Sequence, residues 1–596
     1  MDLFSQGADA LERQDYVTAC QCFEAFLQHN PQDADAWHNL GLAHFYRLEA
    51  RPAQRCWQQA LAYSLDPAPV EETIFEAADS LVHEHYRSAE AIGLYDLLLD
   101  SPRYQRQAHL FKIWCLLSNN RAEDAALLVE AALKKFPNDL AFRLQNTFLL
   151  PQVYRSGEDF SYWRRRLLSA LDQLEAWIAS QPAIESSQVL TYSPIFSLMP
   201  MGMNERETFQ RISRIWRQLF VATGAQAPVA PPPGPRLRLG LISASVWNHS
   251  TMHYFLGMFE LLAQEADIET ALFDFGARSD GMTELIKSLV HHYVRLPREL
   301  EPGIAAIRDF QPEILMYLDI GQETLLYTMA HYRLAPVQCV TAGVPVTTGI
   351  DTMDYYFSSR CFELEQAQEH YSETLIRLTE LMVCMRPPEM PSRLKDRAAF
   401  GIPAEAHVYF FPHTLFRVDP ELDDIMAAIL TRDPQAQIYL MRFLNTGFHV
   451  HLQARFAASH PELNERLHFL PWMSQPEFLN LLALADVALD ALRLAGGNVS
   501  FQSFWVGTPM ITCPTPYLRG RIASGLYRLL GLDDWIATDW QDYLEKALKL
   551  GTDPDTRAAL SARILAGRDQ IFNRSEGMQE MFSWFRKWRN QLTGNS

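Results

Sequence analysis

The sequence predicts an α-helical repeat region followed by an α/β region with two parallel sheets. Two observations carry this prediction. Small and aromatic residues recur at similar spacings in the first 150 residues. After residue 236, short apolar runs alternate with helical stretches, which is typical of parallel sheets covered by helices. A chain of 596 residues is also too long for one hydrophobic core, so several domains are expected.

Composition indicates a globular protein of the cytoplasm. The chain is 48% hydrophobic and 21% charged, and its net charge of −19 argues against broad binding to nucleic acid or anionic membranes. The eight cysteines have no zinc-ligand spacing, so we expect reduced thiols. The first residues lack the pattern of a signal peptide, and no apolar run reaches the roughly 20 residues of a membrane span.

The repeat is clearest between residues 37 and 67, along two predicted helices. Its residues are Trp37, Leu40, Gly41, Ala53, Trp57, Ala60 and Pro67, with similar offsets at Gly7, Phe23, Phe26 and Pro31 and again at Ala125, Val129, Ala132 and Pro137. Small residues let two helices cross closely, and the pattern resembles the tetratricopeptide repeat of about 34 residues. We expect such repeats over residues 1–150 to bind a partner protein; the alternative is a scaffold that only packs against the rest of the chain.

The predicted domain boundaries follow from changes in composition. A helical connecting region is expected at 151–224. Five prolines then rule out a helix at 225–235, which predicts a stiff linker. The two α/β halves are predicted at 236–395 and 396–596.

Nine buried strands are predicted in the two α/β halves. They are 237–243, 268–273, 314–318 and 338–341 in the first half, and 408–411, 437–442, 467–469, 487–489 and 510–512 in the second. Two Rossmann-like halves of this kind leave a cleft between them. Ligands of such folds bind at the carboxyl ends of the strands.

A glycine loop follows one of these strand ends. Gly496 and Gly497 come shortly after the strand at 487–489, and Asn498 opens a helical pattern that ends at Gly507. Such a loop presents backbone N–H groups and the positive end of a helix to one point in space. The sequence therefore predicts a phosphate site here.

Several other chemistries are disfavoured. The chain lacks a GxSxG elbow and a GxxxxGK[ST] loop, and its first α/β strand is not followed by GxGxxG. Asp553 and Asp555 could form a metal-binding pair, but they stand at a predicted helix start, where aspartate caps are common. We expect capping rather than metal binding.

Binding a diphosphate without metal requires N–H donors, a cation, and a flat side chain against the base. Gly497–Ser500 can supply the donors, Arg417 the cation and Phe478 the ring. The alternatives are an ion pair between Arg417 and Asp419, and an ordinary helix-core position for Phe478. The joint placement at successive strand ends favours the site.

At these residues the second half closely resembles the catalytic region of protein O-GlcNAc transferases, including bacterial and SPINDLY-type members. It is also similar to the bacterial cytoplasmic N-glucosyltransferases that modify adhesins. The matching segments are 415–420, 485–487 with Asp490, 505–510, 518–523 and 549–553, together with 334–338, 343–349, 353–355 and 371–373 in the first half. The resemblance covers roughly residues 236–590, and repeats before such a domain also fit the family.

The resemblance implies a GT-B fold and an inverting, metal-independent transfer of a sugar from a UDP-sugar to a protein. The sugar would be GlcNAc or a hexose, and the acceptor Ser or Thr, with Asn as an alternative because Asn498 matches the N-glucosyltransferases. No cofactor beyond the nucleotide sugar and no metal ligand is implied. The acceptor protein would bind through the repeats and the cleft.

The resemblance also assigns site residues. His249, within an active-site Asn-His pair, and Arg417, at the position of a phosphate-contacting lysine, would be catalytic. The donor would contact Gly343, Pro345, Thr414, Phe416, Met473, Gln475, Phe478, Gly497, Asn498, Val499, Ser500 and Gln502. His249 would act as a base or orient the acceptor; the alternative is a histidine that caps the following helix.

Two departures from the family pattern leave the identity of the activated sugar undecided. Gln475 replaces a ribose-contacting lysine, and Gln502 replaces an aspartate. One alternative is therefore a transferase that modifies flagellin or another surface protein with a different activated sugar, such as a CMP-nonulosonate. Another is a non-catalytic, partner-binding repeat protein.

Overall fold

The computed structural model describes residues 2–181, 198–221, 234–442 and 447–593. The chain forms two compact units. The first consists mainly of the residues up to Gln152 and of Tyr162–Trp177, and the second of Val153–Ser161 and most of the chain from Ile178 onward. The predicted linker at 225–235 lies almost entirely outside the described residues.

The first unit is helical, as predicted. Its helices are α1 (Leu3–Glu12), α2 (Tyr16–His29), α3 (Ala34–Tyr46), α4 (Ala50–Tyr63), α5 (Ala68–His83), α6 (Ser88–Asp96), α7 (Gln105–Ser118), α8 (Ala122–Lys135) and α9 (Leu140–Thr147). Glycine allows neighbouring helices to approach closely. A Cβ at Gly41 would lie 2.4 Å from Trp57 Nε1, and one at Gly7 would lie 2.9 Å from Phe23 Cε1. Trp57 and Phe23 are fully buried in these crossings.

Two further helices occur in the connecting region, α10 (Gly157–Ser180) and α11 (Arg206–Phe220). Helix α11 packs against the first α/β half. Trp216 Nε1 donates to Thr328 Oγ1 at 2.9 Å. Gly349 has a φ of +73°, and a Cβ there would lie 2.3 Å from the Phe209 carbonyl carbon, so this contact requires glycine.

The first α/β half contains seven parallel strands in the order β3-β2-β1-β4-β5-β6-β7. They are β1 (Leu237–Ser243), β2 (Ile268–Asp274), β3 (His292–Arg295), β4 (Ile314–Tyr317), β5 (Val337–Thr341), β6 (Tyr355–Ser359) and β7 (Thr374–Leu378). The helices are α12 (Ser250–Leu262), α13 (Gly281–Ser288), α14 (Leu300–Phe310) and α15 (Thr324–Met329). The four predicted strands are present, and β3, β6 and β7 were not predicted.

The second half contains five parallel strands in the order β10-β9-β8-β11-β12. They are β8 (His407–Phe411), β9 (Ala436–Met441), β10 (Leu467–Leu470), β11 (Val487–Leu489) and β12 (Met510–Ile511). The helices are α16 (Pro420–Arg432), α17 (Phe448–Ser459), α18 (Gln475–Leu484), α19 (Asn498–Val506), α20 (Ile522–Leu529), α21 (Trp540–Thr552) and α22 (Pro554–Ala566). All five strands are at their predicted places, so the predicted fold class is confirmed.

The last described helix, α23 (Glu576–Thr593), packs back on the first half. Its Phe585 and Trp588 are buried, and the Trp588 ring stacks on Tyr355 with centroids 4.3 Å apart. Arg586 of the same helix bonds to Asp267. Within the described ranges, no helix has the length and apolar composition needed to span a membrane.

Candidate functional site

The loop between β11 and α19 is held by a buried carboxylate. Asp490 follows β11 directly and is fully buried. Its Oδ1 accepts the backbone N–H groups of Ala491 and Gly496, each at 3.0 Å, and its Oδ2 accepts the Thr512 hydroxyl at 2.8 Å. These bonds fix both ends of the glycine loop to the end of the strand.

Arg417 holds the middle of the same loop. Its NH1 donates to the carbonyl oxygens of Leu494 and Ala495 at 3.0 and 2.7 Å. The Ser500 hydroxyl donates to Gly496 O at 2.6 Å, so the protein itself holds the loop backbone in place. Asp419, the alternative partner considered for Arg417, instead lies 3.6 Å from Arg493 Nε.

The next three backbone N–H groups have no acceptor among the described residues. Gly497 caps α19, Asn498 and Val499 are its first two residues, and the first N–H groups of a helix have no intrahelical acceptor. A Cβ at Gly497 would meet no described atom within 4 Å, so the loop faces open space at this point. A helix start of this kind suits an anion.

Four buried polar atoms around this turn have no hydrogen-bond partner among the described residues. They are Arg417 Nε, Thr414 Oγ1, Asn498 Oδ1 and His413 Nε2. Burial lowers the pKa of Arg417 to about 10, which leaves the guanidinium charged at neutral pH. Buried polar atoms are usually paired, so unpaired ones that surround one turn indicate a ligand or ordered water.

His249 stands at the start of α12, after the carboxyl end of β1. Its Nδ1 accepts the N–H of Thr251 at 3.3 Å and lies 3.0 Å from the Thr251 hydroxyl. The capping alternative is therefore observed. Burial, with a smaller effect of His253, lowers the pKa of His249 and favours the neutral ring.

This cap has a chemical consequence. Because a backbone N–H can only donate, the acceptor Nδ1 of the neutral His249 ring carries no proton, and the proton is on Nε2. His249 can thus cap the helix with one nitrogen and donate a hydrogen bond with the other.

The loop with His249 and the glycine loop touch each other. Asn498 Nδ2 donates to Ser250 O at 2.5 Å. Next to it, Asn248 Oδ1 lies 2.7 Å from His253 Nε2, and the Asn248 N–H donates to Asp280. The first half therefore brings His249 to the edge of the predicted phosphate site.

The residues predicted to hold the base and ribose lie on and beside α18 and α19. Phe478, Met473 and Val499 are partly buried against the core of the second half, and the Phe478 ring centroid is 5.9 Å from that of Phe410. Gln475 and Gln502 are half-buried. Their contact with a nucleotide stays a prediction.

The remaining predicted contacts are next to the same elements. The guanidinium of Arg417 lies 5.7 Å from the Phe416 ring centroid. Gly343 follows β5, and a Cβ there would lie 1.8 Å from Leu318 O, which requires glycine. Pro345 borders a small recess that is also lined by Arg519.

Asp553 is a helix cap, as expected. Its side chain accepts the N–H groups of Asp555 and Thr556 at 3.1 and 3.0 Å at the start of α22. In the described part of the chain, no cluster of three or more His, Cys, Asp or Glu side chains is arranged to hold a metal ion.

Two residues of the site were missed from the sequence. Asp490 stood out only as part of a matching segment, and His413 was not singled out. In the structure His413 Nε2 lies 3.2 Å from Asp490 Oδ1. Both residues could have been found from the sequence, because each is polar and follows a predicted buried strand. His413 follows β8, and Asp490 follows β11.

Comparisons with known proteins point to one family. Residues 385–581 match the model of glycosyl transferase family 41. A probable UDP-N-acetylglucosamine–peptide N-acetylglucosaminyltransferase SEC of Arabidopsis thaliana is 25% identical over 378 residues, which are 60% of this chain and 38% of the relative. A UDP-N-acetylglucosamine–peptide N-acetylglucosaminyltransferase of Caenorhabditis elegans is 30% identical over 175 residues, which are 29% of this chain and 15% of the relative.

A solved structure shows the same fold over the whole chain. An O-GlcNAc transferase mutant of Thermobaculum terrenum matches with a TM-score of 0.63 and 20% identity, and the match covers 100% of this chain and 98% of that one. The chain spans less than half the length of the two curated relatives. These findings confirm the predicted resemblance to the O-GlcNAc transferases. Residues 385–581 match a family of glycosyltransferases, which is the enzyme class that the sequence predicted.

Proposed function

We propose that the chain transfers a sugar from a UDP-sugar to Ser or Thr of a polypeptide, with inversion and without a metal ion. The sugar is GlcNAc or a hexose, and Asn is the alternative acceptor. One observation carries the proposal. Three of the buried polar atoms that have no partner among the described residues, on Arg417, Thr414 and Asn498, surround a preformed helix start with available N–H groups.

In this proposal the diphosphate binds at the start of α19. The N–H groups of Gly497, Asn498 and Val499 bind its oxygens, and Arg417 Nε supplies a charged donor. Arg417 already uses NH1 to hold the loop, so one side chain both shapes the site and neutralises the leaving group. These donors perform the charge neutralisation that a metal ion would otherwise supply.

His249 orients the reactants through its Nε2–H. The cap on Nδ1 places the proton on Nε2, so the neutral ring is a donor rather than a base at that nitrogen. This Nε2–H group would donate a hydrogen bond to the acceptor hydroxyl or to a phosphate oxygen in the cleft. Of the two roles considered for His249, the hydrogen bonds at Nδ1 favour orientation.

The helical unit would recruit the acceptor. Stacked helix pairs form an extended surface that is suited to a polypeptide. Cross-linking mass spectrometry on the full chain with an acceptor protein tests this role. Cross-links within residues 1–152 are expected, and their absence in a complex that turns over would contradict it.

The activity test uses the purified full chain with UDP-GlcNAc, UDP-glucose and a CMP-sugar, in the presence of EDTA. Co-expressed candidate proteins are analysed by mass spectrometry, because the added mass identifies the sugar and the site together. Arg417→Ala should abolish transfer. Arg432→Ala is the matched control, since Arg432 forms an exposed ion pair with Glu545 and should retain activity.

Each outcome separates the candidates. Transfer that requires added metal would contradict the metal-free mechanism. Binding of a CMP-sugar alone would favour the alternative donor, and no binding or transfer with any nucleotide sugar would favour a non-catalytic, partner-binding protein. Unchanged turnover in Arg417→Ala would contradict the role of Arg417.

A further inference from the structure

We infer that His413 is a positioning residue for the donor, and that its contact with Asp490 holds the glycine loop in its phosphate-binding shape. The inference rests on the proposed function, because it concerns the same site. It starts from a buried pair that joins the carboxyl ends of β8 and β11. The His413 and Asp490 side chains are 1% and 0% exposed, and His413 Nε2 lies 3.2 Å from Asp490 Oδ1.

The pair is directly connected to the loop. The same Oδ1 of Asp490 that contacts His413 also accepts the N–H of Gly496 at 3.0 Å. Nε2 forms no hydrogen bond with any described residue, so the 3.2 Å contact is electrostatic, and it is attractive when Nε2 carries the proton. His413 therefore shares in fixing the acceptor that holds Gly496.

The His413 ring also limits the loop by its volume. A Cβ at Gly496 would lie 2.7 Å from His413 Cε1 and 3.2 Å from Ser500 Oγ. The loop backbone thus lies against the edge of the ring, and only glycine fits between them. The ring in turn packs edge-on against Phe411, with centroids 4.9 Å apart.

A shift of Gly496 would also displace the backbone N–H groups that are proposed to bind the phosphate. The available N–H groups begin at Gly497, the next residue, and Ser500 Oγ bonds back to Gly496 O. Hydrogen bonds to a phosphate depend on distance and direction, so a loop that is no longer held would bind the diphosphate more weakly. Substitution of His413 should therefore weaken binding of the nucleotide sugar and leave binding of the acceptor unchanged.

The test compares His413→Phe with His413→Gln. Phenylalanine keeps a ring of similar size but has no donor, whereas glutamine restores an N–H donor. His407→Phe is the matched control, because His407 lies at the other end of β8 and contacts Asp433 at 2.8 Å, in a second His–Asp pair. The readouts are the Kd of UDP, the KM values for the donor and the acceptor, and hydrogen exchange of residues 491–499.

His413→Phe should raise the UDP Kd and the donor KM about tenfold, which corresponds to the loss of about 1.4 kcal/mol of binding free energy. It should leave the acceptor KM unchanged and speed exchange in the loop. His413→Gln should recover most of the loss, and His407→Phe should match the wild type. Equal donor KM values in His413→Phe and the wild type would overturn the inference, as would an equal loss of acceptor affinity. If His413→Phe does not fold, His413→Ala supplies the same comparison with a cavity in place of a clash.

Failure of the proposed function gives a different result. A wild-type chain that binds and transfers no nucleotide sugar would refute the proposed function, while the hydrogen exchange of the loop in His413→Phe would still report whether His413 positions it. Unchanged exchange there would overturn the positioning role independently of any activity.

Discussion

The two chemical roles of His249 can be separated by a pair of substitutions. In His249→Asn, the short amide side chain keeps an acceptor for the Thr251 N–H but lacks the donor at Nε2. In His249→Ala, both functions are lost. Asparagine is among the best helix caps, and loss of a capping side chain destabilises by about 1 kcal/mol. We therefore expect a free energy of unfolding near the wild-type value for His249→Asn and about 1 kcal/mol lower for His249→Ala.

The effect on transfer should not follow stability. If His249 orients the reaction through Nε2–H, both variants lose that donor. Removal of one preorganised donor from an active site lowers kcat about 10²- to 10³-fold. The assay is transfer under saturating donor and acceptor, with urea unfolding of the same preparations. His292→Asn is the control, because the exposed His292 at the start of the edge strand β3 pairs with Glu269 of β2.

The pH profile of the wild type decides between donor and base. Burial lowers the pKa of His249 below 6.5, so a base at this position would give a kcat that falls as the pH drops through the lowered pKa. A donor keeps its Nε2–H when the ring is protonated, so no such acid limb should arise from His249. An acid limb that disappears in His249→Asn, or full activity in that variant, would refute the reasoning.

The other predictions concern the glycine loop and its supports. Gly496→Ala should lower the free energy of unfolding by about 1–3 kcal/mol in urea, because its Cβ would press on His413. Gly497→Ala should leave that free energy within about 0.5 kcal/mol of the wild type and weaken UDP binding in calorimetry. Equal stabilities of the two variants would contradict this prediction. Arg417→Lys should keep the charge and a donor for the loop carbonyls but lose the separate Nε donor proposed for the diphosphate, so its donor KM should lie between those of the wild type and Arg417→Ala. Gly343→Ala should reduce soluble yield and stability, because the Cβ would overlap with a backbone oxygen 1.8 Å away; a variant as stable as the wild type would contradict the close approach of this loop to Leu318.

The strands that could be predicted from the sequence contain a mostly apolar run. Strand β1 and strand β11 have the predicted bounds, because Val487–Leu489 are all buried and Leu237–Ser243 are buried apart from the half-buried Arg238. Strand β3 was missed because it is a short edge strand whose His292 and Arg295 are exposed. Strands β6 and β7 were missed because polar residues interrupt their apolar pattern.

Part of the site could also be predicted, because its residues follow strands that could be predicted. Arg417 and the glycine loop could be placed because each follows a predicted strand, and strand ends converge in parallel sheets. The contact between His413 and Asp490 could not, because it depends on the order β8-β11 within the sheet and on complete burial of both side chains. For Phe478 the sequence left two roles open, and its contact with Phe410 shows packing on the core while a role toward a base stays a prediction.

The glycine loop has a further property that bears on how the donor binds. Its conformation is set by hydrogen bonds that Asp490 accepts and that Arg417 and Ser500 donate. A preformed site avoids the loss of conformational freedom that ordering a loop on binding would require. Because Asn498 also bonds to Ser250 O, the helix that binds the phosphate is tied to the loop that carries His249. Donor binding and reactant orientation should therefore be coupled, so substitutions of Asn498 should change kcat as well as the donor KM.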